Sequence, residues 1–163
     1  MSLGNICHTI ETSSLVAAMQ HWSILLPGVK TLHVLAMVTL VGSITTFDLR
    51  LLGVVMRRLP VSRVAKRFLP CTWAAFGVMI VTGPLIFAAA AESKYCFNPA
   101  FRIKLVLILL AGLNMSVFHL TIYRSVSSWD DAPVPPLRAK LAGALSALLW
   151  AGVTIAARWI SFA

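Results

Sequence analysis

Charge is what this sequence has least of. Only 12% of its 163 residues are Asp, Glu, Lys or Arg, where a soluble domain carries roughly 25%. Hydrophobic residues make up 59%, and the mean hydropathy is +0.87. Such a chain lacks the polar surface to dissolve as a monomer. That excludes a soluble enzyme, a disordered tail, and a collagen-like or coiled-coil rod. Acidic residues are scarcer still, five against fourteen Lys and Arg, for a net charge of +9. No nucleic-acid-binding motif accompanies the basic excess, so nucleic acid is not an expected partner. No basic residue precedes Lys30, so no cleavable signal with a charged leading region is expected. Neither end carries a lipidation motif, and the first spanning helix is expected to direct its own insertion. No internal repeat or low-complexity segment stands out.

What is present is a series of long apolar runs. Four approach the ~20 residues that a bilayer core requires. They cover about 28–52, 68–91, 100–123 and 137–162. The breakers lie between them: Arg57-Arg58-Leu59-Pro60, Ser93 to Pro99, and Asp130 to Pro136. Ahead of the first run, Leu15, Val16, Met19 and Trp22 stand at helical spacing after Thr12 and Ser13. This reads as a short interfacial helix, or as a partly ordered tail. The expected fold is all-α: one integral membrane four-helix bundle with a short N-terminal interfacial helix.

Basic residues set the orientation. The first and third connections hold nine Lys or Arg, among them Arg50, Arg57, Arg58 and Arg138; the opposite side holds Lys30, Lys94, Arg102, Lys104 and Arg158. The positive-inside rule then places both termini outside, with a bacterial inner membrane as the expected location. Membrane lipid is the first partner this implies, through anionic head groups at the basic connections. Cys7 and Cys96 fall on the outer, oxidising side, which makes a disulfide between them a hypothesis; the alternative is unrelated small apolar residues. Cys71 lies near the inner end of the second span.

Ionisable groups at membrane depth are costly and usually face the bundle interior. His33 and Asp48 lie on the first span, Lys104 and His119 on the third. Each pair is fifteen residues apart, which is about 22 Å of helix and just over four turns, so its members share roughly one face. Two layers are expected: His33 with Lys104 outside, and Asp48 with His119 inside. Met37 and Met115 each stand one turn from a histidine. The second span carries Gly83-Pro84 and the fourth a stripe of small residues, Ala139, Gly143, Ala147 and Ala151. Arg102, Lys104 and Arg158 would gather around an anionic group. Each feature also has a plain reading. A histidine can bond a backbone carbonyl, Asp48 can simply neutralise Arg50 or His119, Lys104 can snorkel to head groups, and methionines fill cores. His8 and His21 read as solvated.

Two histidines at different depths suit b-type haem, one or two, with His33 and His119 as axial ligands and Arg102, Lys104 or Arg158 balancing propionates. Asp48 would orient or neutralise His119. The function this suggests is transmembrane electron transfer with quinone or a redox protein as partner. Histidine with methionine suits copper instead, which would make the chain a copper-handling or transport protein. A third reading is a non-catalytic anchor. A homo-oligomer or a subunit of a larger membrane complex is expected in any case.

The chain also resembles a family of small bacterial four-helix membrane proteins of unknown function. The resemblance rests on Leu32-His33-Val34-Leu35, Gly42 and Asp48 to Gly53 on the first span, and on Asn98 to Leu105 and Asn114 to His119 on the third. More distantly it is similar to copper-resistance-D-type membrane domains and to the HemJ type of protoporphyrinogen oxidase. His33 and Lys104 stand where the latter has its histidine and lysine; His119 does not map onto it. The resemblance implies haem or porphyrin binding, keeps copper open, and names no substrate.

Overall fold

The computed structural model describes residues 2–160 and Phe162. Every regular element among the described residues is helical. Two short helices, α1 (Leu3–Glu11) and α2 (Ser14–His21), precede four long ones: α3 (Leu25–Leu51), α4 (Val61–Ala88), α5 (Pro99–Val117) and α6 (Leu137–Trp159). α5 continues through a wide turn at Phe118–Ile122 and a tight one at Tyr123–Ser128. The four long elements are long and apolar enough to cross a membrane. Their outward faces are rich in exposed Leu, Ile, Val and Trp. Such faces are stable against hydrocarbon and not against water, so this is a multi-pass membrane protein.

Helix boundaries follow local chemistry. Asn98 caps α5, its side chain accepting from the Phe101 amide at 3.2 Å, and Pro99 takes the first helical position, where its missing N–H costs nothing. α3 ends where the Gly53 and Val54 amides turn back to the Arg50 and Leu49 carbonyls. Gly53 there adopts φ +73°, a left-handed conformation that a side chain would strain. α4 begins at Val61 rather than near Phe68, because the helix outruns the hydrocarbon and carries Arg63, Lys66 and Arg67 on its exposed first turns. Pro60 offers no side-chain cap. Asp130 supplies one instead, its carboxylate accepting from the Ser62 amide (2.7 Å) and hydroxyl (2.6 Å) and its carbonyl from the Val61 amide. Burial opposes ionisation of Asp130, but the Ser62 hydroxyl and amide and the nearby Arg50 charge outweigh it. They hold its carboxyl below the ordinary value.

α3 packs along α4 and α6, and α5 along α6. Two apolar clusters fill the interior. One joins Phe47, Leu51, Val61, Val64, Phe118 and Ala139; the other joins Ala36, Leu40, Ile44, Ala75 and Met79. The small residues of α6 act differently from the expected stripe. Ala139 and Gly143 are buried, and the line then runs through Ser146, Leu149 and Val153, while Ala151 is exposed. Steps of four residues precess by about 40° on a 3.6-residue helix, so a straight i+4 stripe turns away after three steps. At Gly143 the approach is close: a Cβ would lie 3.1 Å from Leu51 Cβ and 3.2 Å from the Asp48 carbonyl.

At the other end of the bundle, α1 is clamped to the Ala91–Tyr95 turn. Cys7 and Cys96 are joined, with Cα atoms 6.6 Å apart. Glu11 accepts from the Glu92 amide (2.6 Å), the Ser93 amide (3.0 Å) and the Ser93 hydroxyl (2.9 Å), and His8 meets Glu92 at 2.6 Å. The Ser93 amide bond is the largest cause that holds the Glu11 carboxyl below its ordinary value. α1 was not expected from the sequence, which placed a single helix over about 12–23; the structure has two, broken at Thr12-Ser13. Cys71 is free and exposed. Denatured, unreduced protein should therefore titrate one thiol per chain, and three after reduction. Three without reductant would contradict the clamp.

Candidate functional site

The bundle has two unlike ends, called here the disulfide end (Cys7–Cys96) and the basic end (Arg50). They differ in how tightly the helices close. On α3 every buried residue lies between Ala36 and Leu51, and none lies between Leu25 and Leu35. On α5 only Ala100 and Ala111 are buried. α3 and α5, expected as a facing pair, are not packed neighbours. They meet across the basic end, where Phe47 and Phe118 stack edge to face at 5.9 Å. Toward the disulfide end the first turns of the two helices bury only Ala100 of α5.

His33 and Lys104 stand in that open half. The His33 ring faces α4, where Nδ1 lies 2.7 Å from the Thr82 hydroxyl and Cε1 lies 3.7 Å from where a Cβ on Gly83 would be. The Thr82 hydroxyl has one proton, and it goes to the Val78 carbonyl at 2.8 Å. A carbonyl can only accept. Nδ1–H of His33 is therefore the donor to Thr82, and Nε2 keeps its lone pair. Lys104 is half-buried near the start of α5. It makes no hydrogen bond to the described residues. Next along α4, Pro84 offers no N–H to the Ile80 carbonyl, which loosens the helix at this level. An aromatic group of Phe87, Tyr95 and Phe101, with centroids 5.2 to 6.0 Å apart, joins α4 to α5 beyond it.

The other expected members are placed differently. Arg102 is exposed and donates to the Cys96 carbonyl at 3.0 Å. Arg158 is exposed and lies over the Phe162 ring, 5.1 Å from its centroid. Each is held by its own local partner, so the three cations do not share a site. Met37 packs against the Ala36–Leu40–Ile44 cluster. Among the described residues no group of three His, Cys, Asp or Glu could hold a metal ion.

Toward the basic end, Asp48, Asn114, Met115, His119 and Ser146 line a common cavity of about 20 Å³ with apolar residues. His119 does not bond Asp48. Its Nδ1–H donates to the Met115 carbonyl at 3.0 Å, one turn back in its own helix, where the wide turn begins. The backbone thus fixes the ring that Asp48 was expected to orient. Asn114 donates to the Ala142 carbonyl at 3.0 Å and ties α5 to α6.

The residue that sequence reasoning missed is Arg50. Read as a topological charge, it is 0% exposed. Its guanidinium donates to the Leu59 carbonyl (3.0 Å) and the Ala132 carbonyl (3.2 Å), so it ties the α3–α4 loop to the loop before α6. Its position at the end of an apolar run, two residues from Asp48, was the one available signal. Thr82 and the buried Ser43–Thr72 hydroxyl pair (2.9 Å) were also passed over.

The sequence matches DUF6644, a family of unknown function, over residues 10–163, and the chain belongs to that family. No curated protein and no solved structure matches it.

Proposed function

We propose that this member of a family without assigned function holds one b-type haem in the open half of its bundle and serves membrane electron transfer. The observation that carries the reading is the state of His33. Its Nδ1–H is committed to Thr82, so Nε2 is the free, neutral nitrogen that an axial ligand must offer. A second partner that fixes the tautomer and orientation is what ligating histidines ordinarily have. The donor set fits the group. Lys104 would supply a cation for a propionate, and α3 and α5 are not packed neighbours at this level.

The haem would supply one-electron chemistry at a position within the bilayer. This chain's residues do the rest. Thr82 orients His33, Lys104 offsets negative charge at membrane depth, and the exposed Leu and Val of α3 and α5 keep water away. Arg102 and Arg158 are engaged elsewhere and would stand at the rim. One haem is assigned rather than two, because the cavity beside His119 has room for one water and none for a porphyrin; cofactor sites typically occupy about 300–1,000 Å³. The disulfide end is assigned to the outer side of a bacterial inner membrane, on the basic residues of the opposite end and on the oxidised pair. Quinone, or a redox protein docked at that side, would be the electron partner, within a homo-oligomer or larger complex.

Titrating purified protein with haem b tests the reading. A Soret band should saturate near one haem per chain. Thr82→Val should weaken binding by about tenfold, because it removes the bond that holds the ring. A copper-handling protein would show no Soret band and would instead bind Cu(I) through His33 or His119 with Met37 or Met115.

A further inference from the structure

Asp48 is 2% exposed, in the half of the bundle away from the haem site proposed above. Its Oδ2 has no hydrogen-bond partner among the described residues. No cation lies within ion-pair distance of it among the described residues. The Arg50 guanidinium, on the same helix, reaches the other way, to the Leu59 and Ala132 carbonyls. An ionised carboxylate in that position would be an uncompensated charge at membrane depth, which costs several kcal/mol.

The groups around it are specific. From α5 and its wide turn come Asn114 and His119; from α6 comes Ser146; from α4 comes only apolar Leu69. His119 is the one titratable side chain among them. Its Nδ1–H is spent on the Met115 carbonyl, so Nε2 presents a lone pair. Asn114 gives one amide proton to Ala142 and keeps its carbonyl oxygen. The cavity they line, about 20 Å³, exceeds the ~10–15 Å³ that one water needs, and it offers the two to four polar partners that hold one.

We infer that Asp48 and His119 form an intramembrane proton-binding site, bridged by one water and sharing one proton. In the resting form the proton is on Asp48 Oδ2, and the water accepts from it and donates to His119 Nε2. In the other form the O–H bond of Asp48 has broken and the N–H bond of His119 has formed through the same water. The pair then carries one negative and one positive charge, with no net change. Close approach of α6 at Gly143 packs that helix directly against the Asp48 turn of α3. The inference stands whether or not His33 takes haem.

Infrared spectroscopy of the full chain in lipid nanodiscs, labelled with carboxyl-¹³C aspartate, tests it. The chain has three aspartates, Asp48, Asp130 and Asp131. Asp131 is exposed and Asp130 is held ionised by Ser62. At about pH 6, some two units above the ordinary aspartate value, one labelled carboxylic-acid stretch per chain is expected. It should shift in D₂O and be lost in Asp48→Asn. His119→Phe should move its frequency by removing the water's acceptor. Labelled aspartates that are all ionised at that pH would overturn the site. An unmoved band in His119→Phe would overturn the bridge. The labelled wild-type measurement decides the first point even where Asp48→Asn fails to fold.

Discussion

Replacing His33 with alanine is expected to abolish the Soret absorbance of the purified protein, while the chain keeps its helical content. The expectation is strong because the structure offers no substitute. His21 is exposed in the segment before α3, with its ring edge to face against Trp22. His8 is held by Glu92. His119 sits beside a cavity of about 20 Å³, too small for a porphyrin. Of four histidines in all, three stand outside the open half, which leaves one ligand there. His119→Ala should therefore retain the full band, and this contrast separates one haem from two. The structural cost of His33→Ala is small, since the ring is half-buried and its one bond is to a hydroxyl that already has the Val78 carbonyl. Loss of the band with the fold intact thus reports ligation. A retained full band would move the ligand elsewhere.

Arg50→Ala should be the most destabilising single change in the chain, by about 3 kcal/mol or more, read as a lowered midpoint of thermal unfolding in detergent. The side chain is among the largest that are fully buried. Its removal strands the Leu59 and Ala132 carbonyls, which α3 cannot reach by other means, and leaves a void where two loops converge. It also removes the charge that helps keep Asp130 ionised over the Ser62 amide at the start of α4. Lysine in its place would restore one of the two bonds, because a single ammonium lacks the planar fork that reaches both carbonyls. Arg58, exposed in the same loop, serves as the control, and its replacement should fall within about 0.5 kcal/mol of wild type.

Arg50 also shows where reading the sequence stops. Its neighbours in the chain are apolar or basic, so positive-inside counting gave it a role by location alone. The carbonyls it binds lie 9 and 82 residues away, and loop geometry of that kind has no periodic signature. The four long helices were readable because hydrocarbon demands the same length and apolarity of each, and because Asn98-Pro99 and Gly53 carry local chemistry that marks an end. Their neighbours were not. A shared fifteen-residue spacing put α3 and α5 face to face on paper, but the close approach at Gly143 brings α6 against α3 instead. His33 turns instead to Thr82 on α4. Asp48 and His119 reach one cavity without touching, since the wide turn at Phe118–Ile122 gives the ring a backbone acceptor of its own. α1 escaped notice because the Cys7, His8 and Glu11 that hold it bind residues more than eighty positions away.

The account turns on a free imidazole nitrogen in the open half of the bundle taking a haem iron. A pyridine haemochrome assay, made on protein purified from haem-replete cells and set against chain concentration, measures that most directly. The account predicts close to one haem b per chain in the wild type and in His119→Ala, and essentially none in His33→Ala. Wild-type protein that carries no haem after haem-replete expression, or a His33→Ala variant that carries as much as wild type, would contradict it.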